Sequence, residues 1–241
     1  MKIFSKTDRG KVRTENQDAY FADKTTDGAA FAVVCDGMGG ANAGNVASET
    51  AAKRISEYFF KSYRDGMSAE DTEKIVKNAV VSANIELYDM SVNDPKLSGM
   101  GTTVVLAFVK DGTAVIAHVG DSRIYLVNDR ITQLTRDHSV VQSLIESGKI
   151  TPEDAKFHPR KNVITRALGA EEEVAVDIAR LKLNEGETLL LCTDGLTNFL
   201  DDSDILDIFK NTDIAETADS LVERANRNGG GDNITVVTVT K

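Results

Sequence analysis

No run of eighteen apolar residues occurs in this 241-residue chain, so no membrane-spanning helix is expected. The opening Met1-Lys2-Ile3-Phe4-Ser5 turns polar at once and lacks the apolar stretch of a secretory signal. Basic charge is scarce: 28 Lys and Arg stand against 38 Asp and Glu, a formal net charge of −10. That balance argues against general affinity for nucleic acid or an anionic membrane, since either favours a basic face. Cysteine is limited to Cys35 and Cys192, each inside an apolar run. Both read as small buried strand residues, not as a disulfide or a catalytic thiol, and a reducing, cytoplasmic setting fits that use. The three histidines, His118, His138 and His158, lack metal-pair spacing such as His-x-x-x-His, which argues against zinc. Neither a Gly-x-Ser-x-Gly elbow nor a Walker-type phosphate loop occurs, and there are no internal repeats or low-complexity linkers.

What the chain does have is enough apolar sequence, 41%, for one sizeable core, so residues 1–241 read as a single domain. Ala29 to Cys35 and Thr188 to Cys192 are short apolar runs bounded by turns, the pattern of fully buried strands. Thr102 to Val109 and Thr113 to Val119 flank Asp111-Gly112, a favoured hairpin turn. Arg123 to Val127 and Ile131 to Leu134 form a second hairpin through Asn128-Asp129, and Val174 to Leu183 and Ile234 to Thr240 add strands. Helices are expected near Ala43 to Lys61, Ala69 to Met90, Asp202 to Lys210 and Ile214 to Arg227. In the second, Ile75, Ala79, Ala83 and Leu87 make one apolar face. Hairpin-linked strands in two groups with amphipathic helices between them point to a layered sandwich of antiparallel sheets. Residues 136–169 differ, with a helix expected from Ser139 to Ser147 and no long apolar run. They read either as a flap over the site or as an ordinary long connection.

The acids carry the chemistry. Asp27-Gly28, Asp65-Gly66 and Asp111-Gly112 read as plain turns. Asp36-Gly37 and Asp194-Gly195 instead end buried apolar runs with no returning strand, which puts a carboxylate on a rigid element at the rim of the core. Asp18 and Asp232 fall at expected strand starts, and Asp36, Asp121 and Asp194 at strand ends. Starts and ends of antiparallel neighbours share an edge, so the five can converge on one rim, with Arg13 nearby. Hard divalent ions prefer such oxygen donors, and an arginine fork suits a phosphate.

Eight motifs then occur in order. They are Arg13-Thr14-Glu15-Asn16-Gln17-Asp18, Asp36-Gly37-Met38-Gly39-Gly40, Gly101-Thr102-Thr103, Gly120-Asp121-Ser122-Arg123, Asp137-His138-Ser139, Thr165-Arg166-Ala167-Leu168-Gly169, Thr193-Asp194-Gly195 and Asp232-Asn233-Ile234-Thr235. In this order, and over nearly the whole chain, they resemble the compact bacterial form of the metal-dependent Ser/Thr protein phosphatases of the protein phosphatase 2C family. The resemblance implies an α+β fold, a four-layer α-β-β-α sandwich with two central antiparallel β-sheets flanked by helices. It also implies two manganese or magnesium ions, with a possible third. Asp36 would bridge two metals, Gly37 would lend its carbonyl to the first, and Asp194 and Asp232 would complete the second. Asp18 would act mainly through water, Asp121 with Asp194 would form the weaker third site, and Arg13 would grip the phosphate. Water activated between the ions would attack phosphorus directly. The implied partners are phosphorylated proteins, including a cognate Ser/Thr kinase and its substrates, met by a monomer with no nucleic acid or membrane involved. Two positions depart from several eukaryotic relatives: Met38 replaces a histidine held to protonate the leaving alkoxide, and Gln17 replaces a glutamate.

Overall fold

The structure is a computed structural model that describes residues 1–39 and 43–241, so Gly40 of the second motif lies outside the described residues. In chain order the elements are β1 (Lys2–Asp8), β2 (Asp18–Lys24), β3 (Ala30–Met38), α1 (Ala43–Ser62), α2 (Ala69–Asn93), β4 (Gly101–Thr102), β5 (Val104–Lys110), β6 (Thr113–Val119), β7 (Arg123–Val127) and β8 (Ile131–Gln133). They continue with α3 (Val140–Glu146), α4 (Pro152–Ala155), β9 (Asp177–Lys182), β10 (Thr188–Cys192), α5 (Asp194–Thr197), α6 (Asp202–Asn211), α7 (Ile214–Arg227) and β11 (Ile234–Thr240). One sheet runs β1-β11-β10-β7-β8 and the other β2-β3-β5-β6-β9, with β4 paired to β3, and every pairing is antiparallel.

Three apolar layers follow from period-2 alternation along strands buried on both faces. Ala30, Ala32 and Val34 of β3 meet Leu189 and Leu191 of β10 and Val237 and Val239 of β11 between the sheets. The alternate residues Phe31, Val33 and Cys35 face Ile55 and Phe59 of α1 and Val76, Ala79 and Ala83 of α2. Leu190, Cys192 and Val236 face Ile205, Leu221 and Val222 of α6 and α7. The four-layer sandwich is therefore as the sequence implied. Both cysteines are free and wholly buried, and burial raises their thiols, that of Cys192 to about 12.

Local chemistry sets the element ends. Ser68, Ser139 and Asp213 accept hydrogen bonds from the first-turn amides of α2, α3 and α7, and Asp201 with Asp204 makes a capping box on α6. Asp111, with φ of 49°, takes the left-handed conformation that a two-residue hairpin between β5 and β6 requires.

Some boundaries differ from expectation. The run from Thr102 is broken at Thr103 because that residue turns its amide to the Asp36 carbonyl, 2.9 Å away, so β4 and β5 are separate. The strand expected from Val174 starts at Asp177, and the polar N-terminus forms β1, which pairs along its whole length with β11. Residues 136–169 carry the short helices α3 and α4 and are pinned at their base. The Val140 amide donates to Val163 O at 2.9 Å, Thr165 to His138 O at 2.8 Å, and a bridge joins Thr102 to Leu168. Phe157, toward the other end, is 87% exposed.

Candidate active site

Strand register brings the acids to one rim. Asp18 lies directly opposite Asp36 in the β2–β3 ladder. Cys192 of β10 is opposite both Val236 of β11 and Arg123 of β7. Asp194, Asp232 and Asp121, each two residues from one of those three positions or from a strand end, therefore share the same edge. Like charges facing each other across a ladder oppose pairing, so the Asp18–Asp36 pair requires a compensating reason. Asp121 lies in the turn after β6, and Asp232 lies two residues before β11.

Neighbouring polar groups hold the segments that carry the acids. Asp18 is buried; its Oδ2 accepts from the Thr193 hydroxyl at 2.9 Å, while its Oδ1 is buried with no partner among the described residues. The Thr103 hydroxyl accepts from the Asp36 amide at 3.0 Å and shares a 2.7 Å hydrogen bond with Ser122, linking β3 to the Asp121 turn. His138 brackets that turn: its amide donates to Gly120 O at 2.8 Å, and its Nδ1 accepts from the Gly120 amide at 3.0 Å. Asn198 donates to Asp194 Oδ2 at 3.0 Å.

Burial, joined by the charge of the neighbouring acids, pushes these carboxyls up. Asp18 is raised to about 7, chiefly by desolvation, against the opposing bond from Thr193 and with repulsion from Asp194 and Asp232 adding to it. Asp121 is also raised to about 7, by desolvation and then by Asp194. Asp36 is raised well above the ordinary carboxylate range by desolvation and then by Asp18 and Asp194, and Asp194 is raised by desolvation and Asp232. A buried, unpaired carboxylate oxygen amid hard oxygen donors of one charge is a donor set that fits divalent magnesium or manganese.

The two Asp-Gly glycines have a packing role. A Cβ on Gly37 would stand 2.0 Å from Gly44 O and 2.6 Å from Gln17 O, and one on Gly195 would stand 1.9 Å from Asn233 O. Each glycine lets a second backbone segment press against the acid's own strand end or turn.

Arg13 sits in the crossing between β1 of one sheet and β2 of the other. Its half-exposed guanidinium donates to Asp232 Oδ2 at 2.8 Å, and that bond raises its pKa further. Buried Asn233 fastens this crossing. It accepts from the Gln17 amide at 2.8 Å and donates to Arg9 O at 2.9 Å and Glu15 O at 2.8 Å.

One cluster stands apart from the acid rim. No three of the rim's carboxylates close within 4.8 Å of one another; among the described residues that spacing is met by His118, His138 and Asp177. Those groups are already engaged: His118 Nε2 with Arg136 O at 2.9 Å, His138 with Gly120, and Asp177 with Arg166 at 2.7 Å. They clamp the base of residues 136–169, and Ser139 caps α3. Sequence reasoning assigned no role to Thr193, Thr103, Ser122, Asn198 or Asn233. Thr193, Ser122 and Asn233 each stand beside an aspartate inside a motif, and that adjacency was the available signal; Thr103 lies in a motif without an acid, and Asn198 lies outside the motifs.

Residues 8–230 match the family model for protein phosphatase 2C. The chain belongs to the protein phosphatase 2C family. It is 42% identical over 238 residues to the serine/threonine phosphatase stp of Listeria innocua, covering 98% of this chain and 94% of that protein. It is 37% identical to protein phosphatase PhpP of Streptococcus pneumoniae, covering 100% and 97%. Among solved structures, the Staphylococcus aureus serine/threonine phosphatase Stp1 superposes with a TM-score of 0.93 at 35% identity, covering 99% and 94%. The catalytic domain of the phosphatase PstP, solved with two manganese ions, superposes with a TM-score of 0.86 at 34% identity, covering 98% and 96%. Family membership and the shared sandwich make this chain a phosphatase.

Proposed function

We propose that the chain hydrolyses phosphoserine and phosphothreonine on proteins with two divalent ions, manganese or magnesium, at the acid rim. The observation that carries this reading is the Asp18–Asp36 pair, facing across one ladder with a buried, unpartnered Asp18 oxygen. In this reading Asp36, the Gly37 carbonyl, Asp194 and Asp232 hold the two ions, Asp18 supports them through water, and Asp121 with Asp194 offers a third position. When bound, the ions supply activated water for in-line attack on phosphorus and counter the charge of the phosphoryl oxygens.

The chain's own groups then divide the remaining work. Thr193 and Asn198 each donate a hydrogen bond that orients the carboxylates of Asp18 and Asp194, which lowers the reorganisation needed as charge develops. Arg13 turns its fork from Asp232 to the phosphoryl oxygens when the ester arrives. Met38 has no exchangeable proton, so the departing alkoxide takes its proton from water. Residues 136–169, pinned at the base, act as the flap that meets the phosphoprotein. The partners are phosphorylated proteins, among them a Ser/Thr kinase and its substrates, met in the cytoplasm by a monomer. The names of the Listeria and Streptococcus relatives support the substrate class, and no helix among the described residues is long and apolar enough to cross a membrane.

Manganese-dependent release of phosphate from a phosphothreonine peptide tests the proposal. Asp36→Asn should lower kcat by at least about a hundredfold with the far-ultraviolet spectrum unchanged, because metal charge stabilisation is worth several kcal/mol. A variant keeping a tenth of parent activity would refute the assignment.

A further inference from the structure

Beside the acid rim lies a cavity of about 640 Å³ whose lining includes Met38, Ile164, Arg166, Glu171, Glu173 and Val174. Met38 connects it to the catalytic strand. Asp36 and Met38 are two residues apart on β3 and so share a face, separated by about 7 Å at the strand rise of roughly 3.3 Å per residue. A bound protein segment in extended form has the same rise. With its phosphoserine at the rim, it would deliver a side chain about two residues away into this cavity.

The charge of the cavity is unbalanced. Arg166 is committed elsewhere, donating to Asp177 Oδ1 at 2.7 Å and to Ala175 O at 3.1 Å. Glu171 and Glu173 are exposed, and no ion pair or hydrogen bond engages either carboxylate among the described residues. The loop that carries them is braced from inside the protein. Asn84 of α2, 1% exposed, donates to Glu171 O at 3.1 Å and Glu172 O at 2.9 Å and accepts from the Gly169 amide at 2.9 Å. Two carboxylates on a fixed loop above an apolar floor of Met38, Ile164 and Val174 complement a long aliphatic stem with a cationic end.

We infer that this cavity is a subsite for a lysine or arginine about two residues from the phosphoserine or phosphothreonine of the protein substrate. The inference rests on the phosphatase reading above and adds a sequence preference to it.

The test compares phosphothreonine peptides with Arg, Ala or Glu placed two or three residues to either side of the phosphoresidue. Parent and Glu171→Lys/Glu173→Lys protein are assayed with manganese at low salt, with p-nitrophenyl phosphate as a flank-free control. The parent should favour Arg over Ala in kcat/KM by about three- to tenfold at one or more positions, the range of two exposed ion pairs, and lose that margin as salt rises. The double variant should cancel or invert the preference while its p-nitrophenyl phosphate hydrolysis stays within about twofold. Equal hydrolysis of all peptides by the parent would overturn the subsite alone. A variant that slows every ester alike, or keeps the preference intact, would also overturn it. A parent that hydrolysed none of the peptides would overturn the phosphatase reading and the subsite with it.

Discussion

Arg13 is the residue whose surroundings change its expected behaviour most. From sequence alone it is a phosphate grip independent of the metals, yet its guanidinium lies 2.8 Å from Asp232, one of the proposed metal ligands. The two roles compete for one cation-binding oxygen. Arg13→Ala should therefore raise KM and lower kcat/KM for a phosphopeptide by about tenfold or more, while manganese affinity holds or improves. Titration calorimetry that found weaker manganese binding in this variant would contradict the competition. The aspartates were legible because their positions at run ends set them apart from ordinary turns. The pairing of Arg13 with Asp232 was not legible, because 219 residues separate the two and only the fold brings the β1–β2 crossing against the start of β11.

Among the elements, that crossing depends on a single side chain. Asn233 satisfies three backbone groups of residues 9–17 from a buried position, so its loss leaves donors and acceptors unpaired. Asn233→Ala should cost about 2–3 kcal/mol and lower Tm by roughly 4–12 °C, while raising KM as Arg13 loses its fixed support. A thermal scan with an unchanged midpoint would rule out the clamp. Long strands and helices with clear periodicity were legible from sequence, and several boundaries agree to the residue, as in β6, β10, α7 and β11. β1 was not, because Lys2–Asp8 has little alternation of its own and becomes a strand through pairing with the fully buried β11. The break at Thr103 was hidden too, since a β-branched residue fits a strand locally and only the Asp36 carbonyl across the rim calls its amide away.

For the molecule as a whole, the buried acids of the rim couple stability to pH and, on the proposed reading, to metal. Asp18 and Asp121 have carboxyls raised to about 7 against about 3.8 unfolded, so the folded state binds their protons more tightly than the unfolded state does. That stabilisation is fully present below about pH 3.8 and is lost as pH rises through about 7. Chelator-treated protein should therefore show Tm falling by several degrees between pH 5.5 and pH 8, and manganese should reverse the fall at pH 8. A metal-free Tm that rose over that interval would contradict the sign of the coupling.

The facing carboxylates of Asp18 and Asp36 also make the chain's history readable. Like charges directly opposite across a ladder are destabilising, so a descendant with no use for the site should gain stability from a neutral replacement of similar size at either residue. Drift alone would erase the pair. On the proposed metal reading, a copy of this fold that keeps both acids at that register should keep hydrolysis, and a copy that has lost either should lack it.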